Sequence, residues 1–193
     1  MESDVENQKT VKKFSDKKKD ILDFIKYIVI AILIVIPVRM FIAQPFIVSG
    51  ESMFSTFLDG DYLIIDEISY HLGQPHRGDV VVFKYPLDPT RFFIKRIIGL
   101  PNEDITIKDG AITIINKENP DGFVLDEPYL KQDFKDNFDF KTGDKEYFAM
   151  GDNRARSSDS RSWGALPEDL IIGRAFVRLL PLNSISYLPG STK

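Results

Sequence analysis

A serine in the segment "SGESMFSTFLDGD" (residues 49–61) has the surroundings of a candidate nucleophile. Ser52 follows a Gly-Glu pair and precedes two large apolar residues, shortly before an Asp-Gly-Asp turn. A serine hydroxyl becomes a useful nucleophile when a nearby base takes its proton. An ordinary turn serine could have the same neighbours, so the catalytic interpretation depends on finding that base.

The usual partners of a catalytic serine are scarce in this chain. It has no cysteine and two histidines, His71 and His76, both in the turn-rich connection "YHLGQPHRG". A Ser-His-acid triad needs a histidine held rigidly by an oriented acid, which such a loop does not favour. A histidine metal pair also lacks a third ligand at a suitable spacing. We therefore expect no metal and no cofactor, and lysine is the remaining candidate base.

Lys95 lies inside the apolar run "RFFIKRIIG", whereas most other lysines of the chain lie in polar stretches. Alternation along a strand puts Phe93 and Ile97 on its own face. To accept a proton near neutral pH, a lysine pKa must fall by about 3 units, or roughly 4 kcal/mol, and burial acts in that direction. The alternative is a strand-edge lysine with its amine in water, since the neighbouring Arg96 indicates that charge is tolerated there.

A third polar stretch, "GDNRARSSDSRSWG" (151–164), follows an apolar run. A solvated loop is the ordinary interpretation of so many charges and hydroxyls. However, Asp159 and Arg161 are spaced for a structural ion pair, and Ser157 could hydrogen-bond a buried amine. Such a bond would orient the lone pair of a neutral lysine toward the serine.

The segments that must position these residues are mostly strand-like. Short apolar runs rich in β-branched and aromatic residues occur at 62–66, 79–85, 91–100 and 145–151, and the tail from 170 adds one or two more. Residues 104–116 form two alternating runs joined by Asp109-Gly110, which predicts a two-residue β-hairpin. We expect a mainly β, antiparallel, partly barrel-like catalytic domain. An insertion at about 102–144 carries the hairpin, and its polar part, 117–144, is expected to be loops or a small cap without a core.

The N-terminal quarter predicts a membrane anchor. A lysine-rich tail (1–23) precedes an apolar segment (24–43) that would measure about 30 Å as a helix, enough to cross a bilayer. No Lys or Arg follows Arg39 until Arg77, so the positive-inside rule predicts a cytoplasmic N-terminus and an extracytoplasmic domain at 44–193. A cleaved secretory signal is the alternative, but a cut after Ala43 would leave the bulky Phe41 at position −3.

The composition narrows the possible partners. A hydrophobic content of 43% is enough for a packed core, and a net charge of −4 argues against nucleic acid as the main partner. The absence of cysteine excludes disulfides and thiolate zinc sites.

Taken together, these stretches resemble bacterial type I signal peptidases. That family is similar in having an N-terminal anchor followed by four boxes, which read here "SGESMFSTF", "GDVVVF", "FIKRIIGLPNED" and "GDNRARSSDSR", in the same order. The resemblance implies a membrane-anchored serine endopeptidase that removes signal peptides from exported preproteins. Its partners would be those signal peptides and membrane lipid.

The resemblance also implies roles for individual residues. Ser52 would be the nucleophile, Lys95 the general base and Ser157 the hydrogen-bond partner of the lysine. The oxyanion hole would use the Ser52 backbone N–H, with Gly50 where some relatives have a second donor. The remaining matches are the scaffold residues Asp152, Arg154, Asp159 and Arg161, and the pocket-lining residues Phe46, Val48 and Ile94.

Two departures from the family pattern leave a rival open. Pro-Thr-Leu of the first box is replaced by Ser55-Thr56-Phe57, which removes a fixed backbone angle and adds bulk, and the residues after Pro101 differ in a loop. The rival is a catalytically retired relative that acts as a binding or assembly factor for surface structures. A self-cleaving repressor-type Ser-Lys protease is a further alternative, but such proteins carry a DNA-binding module.

Overall fold

The computed structural model describes residues 21–35, 44–132 and 134–191. The chain divides into an N-terminal unit, Met1–Phe41, and a second unit, Ile42–Lys193. In the first unit, residues 21–35 form a helix, α1, whose side chains are exposed. No helix among the described residues has the length and apolar character needed to cross a bilayer. The predicted anchor at 24–43 includes residues 36–43, which lie outside the described residues.

The second unit is built mainly from antiparallel strands. In chain order, the strands are β1 (Gln44–Ile47), β2 (Tyr62–Asp66), β3 (Val80–Tyr85), β4 (Asp88–Gly99), β5 (Asp104–Lys108), β6 (Ala111–Ile115), β7 (Phe123–Val124), β8 (Phe138–Lys141), β9 (Glu146–Met150), β10 (Leu166–Pro167), β11 (Ile171–Leu180) and β12 (Ser186–Tyr187). Two short helices accompany them, α2 (Ile68–Leu72) and α3 (Ser160–Trp163), together with single 3-10 turns at Arg154–Arg156, Glu168–Leu170 and Leu182–Ser184. All the runs that the sequence predicted as strands form strands, with ends that shift by up to three residues.

The strands form two sheets. The larger has the order β1-β2-β11-β3-β4-β9-β10, with β12 paired to β11 outside this path, and the smaller has the order β7-β6-β5-β8. Within the described residues, neither sheet closes on itself. The expected barrel-like shape is therefore corrected to an open antiparallel sheet, in which β1 and β10 lie at the two ends.

The predicted hairpin is present as β5 and β6. Asp109 and Gly110, at φ angles of 48° and 88°, make its two-residue turn. The left-handed conformation at both positions is the one that this turn requires. A Cβ atom at Gly110 would lie 2.0 Å from the Phe134 carbonyl oxygen, so the turn also needs glycine for space.

The segment 117–144, expected to be long loops or a small cap, contributes two strands. β7 and β8 from this segment extend the hairpin to four strands. Along β8, the half-buried Phe138 and Phe140 alternate with the exposed, charged Asp139 and Lys141. These rings pack on a core in which each isoleucine contributes about 1.5–3 kcal/mol by burial. That core contains Ile98, Ile105, Ile107, Ile112, Ile114, Phe148 and Met150.

The small sheet contacts the large one directly at Gly99. A Cβ atom there would lie 2.8 Å from Ile105 Cδ1 and 2.9 Å from Phe148 Cβ, closer than real Cβ contacts allow. The absence of a side chain at Gly99 lets β5 pack against β4 and β9.

Candidate functional site

The loop after β1 carries Ser52 and is fixed by both backbone and side chains. Val48 N–H donates to the Asp61 carbonyl at 2.9 Å, and Gly60 N–H donates to the Val48 carbonyl at 2.9 Å, which closes the loop at its base. The side chains of Met53 and Phe57 are buried beside Ser52. The half-buried hydroxyl of Ser52 is thus held at the surface of a packed core.

Lys95 on β4 lies next to this hydroxyl. Its Nζ is 2.7 Å from Ser52 Oγ and donates to the Ile94 carbonyl at 2.9 Å. The Lys95 side chain is 3% exposed, and its Nζ lies 5.1 Å from the centre of the Phe93 ring. The structure therefore brings together the two residues that the sequence singled out, in apolar surroundings.

Burial lowers the pKa of Lys95 from 10.5 to about 8. Removal from water penalises the charged ammonium form, and the nearby carboxylates Asp159 and Asp152 oppose this effect by favouring the charge. A substantial fraction of Lys95 is then neutral at mildly alkaline pH. In that form the amine can accept the hydroxyl proton of Ser52.

The loop after β9 supplies the carboxylates of two ion pairs, Asp152 and Asp159. Asp152 accepts from Arg96 Nε at 2.8 Å and from Arg96 Nη2 at 2.6 Å, and both side chains are almost fully buried. Asp159 caps α3 and pairs with Arg161 at 2.8 Å, and it also accepts from Gly151 N–H at 3.2 Å. The Asp159–Arg161 pair is the one that the spacing in sequence permitted.

Arg96 is a site residue that the sequence reasoning missed. Its presence had indicated that charge is tolerated near Lys95, yet its side chain is 0% exposed. Besides Asp152, it donates to the carbonyls of Gly78 and Gly190. An arginine inside an apolar strand, with an acid in a later polar loop, was the available signal.

Asn153 was also missed, although it is the residue of this loop that holds the nucleophile's backbone. Its N–H donates to the Ser52 carbonyl at 3.0 Å, and its Nδ2 donates to the Glu51 carbonyl at 3.1 Å. The loop after β9 therefore sets the position of the Ser52 main chain. Nothing in the local sequence around Asn153 signals this long-range contact.

Ser157 does not make the bond that the resemblance implied. Its Oγ is buried without a hydrogen-bond partner in the described part of the chain, whereas the Lys95 amine is shared between Ser52 Oγ and the Ile94 carbonyl. This placement corrects the expected Ser157–Lys95 contact. Ser157 nevertheless lies at the site, because a Cβ atom at Gly151 would meet its Oγ at 2.3 Å.

Gly50 has a conformation that suits glycine, with a φ angle of 90°. Its N–H donates to Asp59 Oδ1 at 2.8 Å, so this donor is engaged within the loop.

Two of the residues that stand at the family's Pro-Thr-Leu positions make contacts that stabilise the loop. Phe57 is fully buried in the core, and Thr56 Oγ1 donates to Asp152 Oδ2 at 2.5 Å.

A cleft of about 530 Å³ opens beside the Ser52–Lys95 pair, between β1 and β4. The three expected pocket residues, Phe46, Val48 and Ile94, all line it, together with Leu63 and Val82. Since β1 ends the larger sheet, its outer edge can pair with an added strand. Most of the strand residues that line the cleft are apolar, with Arg91 as a charged exception, and the lining is polar near the nucleophile.

We expect Gly151→Ala to slow any reaction at Ser52 by about 10²-fold, the order of loss that an approximately 1 Å misplacement can cause. The added Cβ would lie 2.4 Å from the Ser52 carbonyl oxygen, so the nucleophile's main chain must move. Turnover of folded protein measures this effect. Gly73→Ala is the control, because its Cβ would meet its nearest atom at 3.4 Å. Equal rates for the two variants would contradict the prediction.

Comparison with known proteins identifies relatives of this chain. Residues 21–180 match the family described as "Signal peptidase, peptidase S26". A "Probable signal peptidase I-2" from Synechocystis sp. is 34% identical over 195 residues, covering 97% of this chain and 86% of that protein. "Signal peptidase I P" from Bacillus subtilis subsp. natto is 36% identical, covering 89% and 95%. A crystal structure of a signal peptidase I from Enterococcus faecalis is 28% identical and covers 53% of this chain and 97% of that chain, with a TM-score of 0.46.

Proposed function

The chain belongs to the peptidase S26 family of signal peptidases, which are serine endopeptidases, and we propose that it removes signal peptides from exported preproteins with a Ser52–Lys95 dyad. The observation that supports the dyad is the 2.7 Å distance between Lys95 Nζ and Ser52 Oγ. The burial of Lys95 supports its role as the base, because an exposed lysine would stay protonated. Burying an amine costs free energy of folding, so a lysine with a purely structural role would be more stable with its amine in water.

In the proposed reaction, neutral Lys95 takes the proton of Ser52 as Oγ attacks the carbonyl carbon of the residue at position −1. The backbone N–H of Ser52 donates to the oxyanion that forms, and such preorganised donors stabilise the transition state strongly. Lys95 then gives its proton to the departing amine, which is the N-terminus of the mature protein. In the second half, Lys95 takes a proton from water as the water oxygen attacks the acyl carbon. The bond between that carbon and Ser52 Oγ then breaks, Ser52 Oγ takes the proton back from Lys95, and the signal peptide leaves with a free carboxylate.

We propose that the substrate binds as an extended strand along the edge of β1. Main-chain hydrogen bonds of the β-addition type would fix its register, and alternate side chains would point into the cleft. The side chains at −1 and −3 would then face Phe46, Val48 and Ile94. Bulky side chains at those positions would compete for space with these residues, so small substrate residues are expected there.

We further propose that residues 24–43 anchor the enzyme in the cell membrane as a single pass, with the N-terminus in the cytoplasm. The apolar composition of that segment and the lysines before it support this topology. The catalytic domain, 44–193, would then lie outside the cytoplasm. A substrate held in the same membrane meets the site already oriented, which lowers the entropic cost of reaching the transition state.

The test is cleavage of a synthetic preprotein by the full chain in detergent. The substrate should carry alanine at −1 and −3, and mass spectrometry should find one cut after position −1. Ser52→Ala is the control, since it removes the attacking oxygen while leaving the buried neighbours Met53 and Phe57 in place. Binding of the substrate without turnover by the wild type would instead support the catalytically retired relative.

We expect the rate to rise with pH through the pKa of Lys95. Because the base must be neutral and burial sets its pKa at about 8, kcat/KM should increase roughly tenfold per pH unit below that value and level off above it. A pH series with the synthetic preprotein measures this profile. A rate that is flat between neutral and mildly alkaline pH, or that falls there, would exclude Lys95 as the base.

A further inference from the structure

Two residues in the connection between β7 and β8 contact the buried arginines Arg154 and Arg96. Glu127 and Tyr129 lie in the connection between β7 and β8, far in sequence from Ser52 and from the loop after β9. Neither carries the dyad chemistry proposed above. Their arginine partners nevertheless bond to Gly151 and Asp152, directly before Asn153, which donates to the Ser52 carbonyl.

Glu127 is the counter-charge of Arg154. Its two carboxylate oxygens accept from the two terminal nitrogens of the Arg154 guanidinium, one of them at 3.0 Å, in a bidentate pair. The exposed fractions are 2% for the Arg154 side chain and 8% for Glu127. Arg154 Nε in turn donates to the Gly151 carbonyl at 3.1 Å. Because a buried cation without a partner is strongly unfavourable, Glu127 is what allows Arg154 to remain in this place.

Tyr129 supports the second arginine and also Glu127. Its ring lies against the guanidinium of Arg96, whose Cζ is 3.8 Å from the ring centre. Its hydroxyl donates to Glu127 Oε1 at 2.6 Å. The face of the ring therefore covers the side of Arg96 that its bonds to Asp152 do not occupy, and cation–π contact of this kind is strongest when water is excluded.

Both arginines act on the first residues of the loop after β9. Arg96 fixes the Asp152 carboxylate, and Arg154 fixes the Gly151 carbonyl. The next residue, Asn153, donates its N–H to the Ser52 carbonyl at 3.0 Å. The connection from Glu127 and Tyr129 to the nucleophile thus passes through the buried arginines Arg154 and Arg96, by an ion pair and a ring contact, and then through the first residues of the loop.

We propose that Glu127 and Tyr129 are positioning residues, through which the small sheet sets the placement of the Ser52 main chain against Lys95. This inference rests on the proposed peptidase reaction. It assigns the insertion a role in turnover that is separate from substrate binding. Phe46 lies on β1, Val48 in the loop that follows it and Ile94 on β4, and neither Glu127 nor Tyr129 lines the cleft that these three residues line.

The experiment compares kcat and KM for full-length variants in detergent, each measured well below its thermal unfolding midpoint and expressed per folded molecule. Glu127→Gln removes the counter-charge with little change of shape, and Tyr129→Leu removes the aromatic face. For both, we expect kcat to fall by roughly 10- to 100-fold through misplacement of the nucleophile. KM should stay within about twofold, since the pockets are unchanged.

Conservative and distant variants supply the controls. Tyr129→Phe keeps the ring over Arg96 and should retain kcat within about threefold, as expected for loss of one neutral hydrogen bond. Glu118→Gln and Tyr187→Leu change exposed side chains of the same two types and should leave kcat at the wild-type value.

The outcomes separate this inference from the proposed function. If the wild type cleaves the preprotein while Glu127→Gln and Tyr129→Leu keep its kcat per folded molecule, the positioning role is wrong and the peptidase assignment stands. A rise in KM at unchanged kcat would also overturn it, because that result indicates substrate binding. If Glu127→Gln does not fold, Tyr129→Leu decides between these outcomes. A wild type that never cleaves overturns the proposed function and this inference together.

Discussion

Replacing Lys95 with methionine is expected to lower kcat for preprotein cleavage by about 10²–10⁴-fold, the usual contribution of a positioned general base. Methionine is similar in length and apolar, so it suits a site with 3% exposure. It cannot accept the Ser52 proton, which Lys95 reaches across 2.7 Å. Steady-state cleavage of the synthetic preprotein in detergent measures the loss.

The matched control for this variant is Lys84→Met. Lys84 is an exposed lysine on β3, the strand next to β4, so the same substitution there tests the effect of removing a strand lysine as such. Its rate should equal that of the wild type. The residual rate of Lys95→Met should also lose the rise with pH near 8 that the pKa of Lys95 predicts. Retention of most activity by Lys95→Met would show that another group is the base.

The sequence pointed to Lys95 because the environment needed for a neutral lysine is partly local. Burial is the main requirement, and a run of apolar and aromatic neighbours on the same strand is visible without coordinates. The β5–β6 hairpin was also predictable for a local reason, since Asp109-Gly110 fits one turn type. In both cases, neighbours in the sequence determine the result.

The contacts that hold the dyad were not predictable in the same way. Arg96 is 56 positions away from Asp152, and Asn153 is 101 positions away from Ser52. Which arginine meets which acid depends on the order of strands in the sheet, and no local pattern encodes that order. The same limitation applies to Glu127, whose partner Arg154 lies on the other side of β8 and β9 in the chain.

The two outer strands of the small sheet, β7 and β8, were missed for a different reason. β7 and β8 contain two and four residues, shorter than the runs on which alternation can be recognised reliably. In addition, Asp139 and Lys141 on the outer face of β8 are typical of the polar residues in a loop. Phe138 and Phe140 were the available signal, because two aromatic residues two positions apart lie on one face of a strand.

Membrane anchoring stays a prediction. Helix α1 covers residues 21–35, and its apolar side chains, including Ile28 and Leu33, are exposed. The hydrophobic sequence continues into residues 36–43, which lie outside the described residues. Exposed apolar side chains on a helix are compatible with a lipid environment, and partition of the full chain between membrane and soluble fractions would test the anchor.

Replacing Arg96 with methionine is expected to lower the free energy of unfolding by about 3–5 kcal/mol, the usual cost of leaving a buried charge without its partner. In the native protein, the exposed fractions of the Arg96 and Asp152 side chains are 0% and 1%. Without Arg96, the Asp152 carboxylate keeps the Thr56 hydroxyl as its remaining side-chain partner, and the Gly78 and Gly190 carbonyls lose a donor. For a chain of this size, the thermal midpoint should fall by roughly 6–20 °C.

The control for Arg96→Met is Arg156→Met at a surface ion pair. Arg156 and Glu51 are 2.6 Å apart, but their side chains are 72% and 61% exposed, and such a pair contributes at most about 1 kcal/mol. The same substitution therefore separates the effect of burial from the effect of removing an arginine. Adding Asp152→Asn to Arg96→Met should restore part of the lost stability, because the unpaired carboxylate is removed. If Arg96→Met and Arg156→Met shift the thermal midpoint equally, then the Asp152 carboxylate is not an uncompensated buried charge when Arg96 is absent. In that case water must reach Asp152, and the loop that holds Ser52 would be less closed than the hydrogen bonds around it indicate.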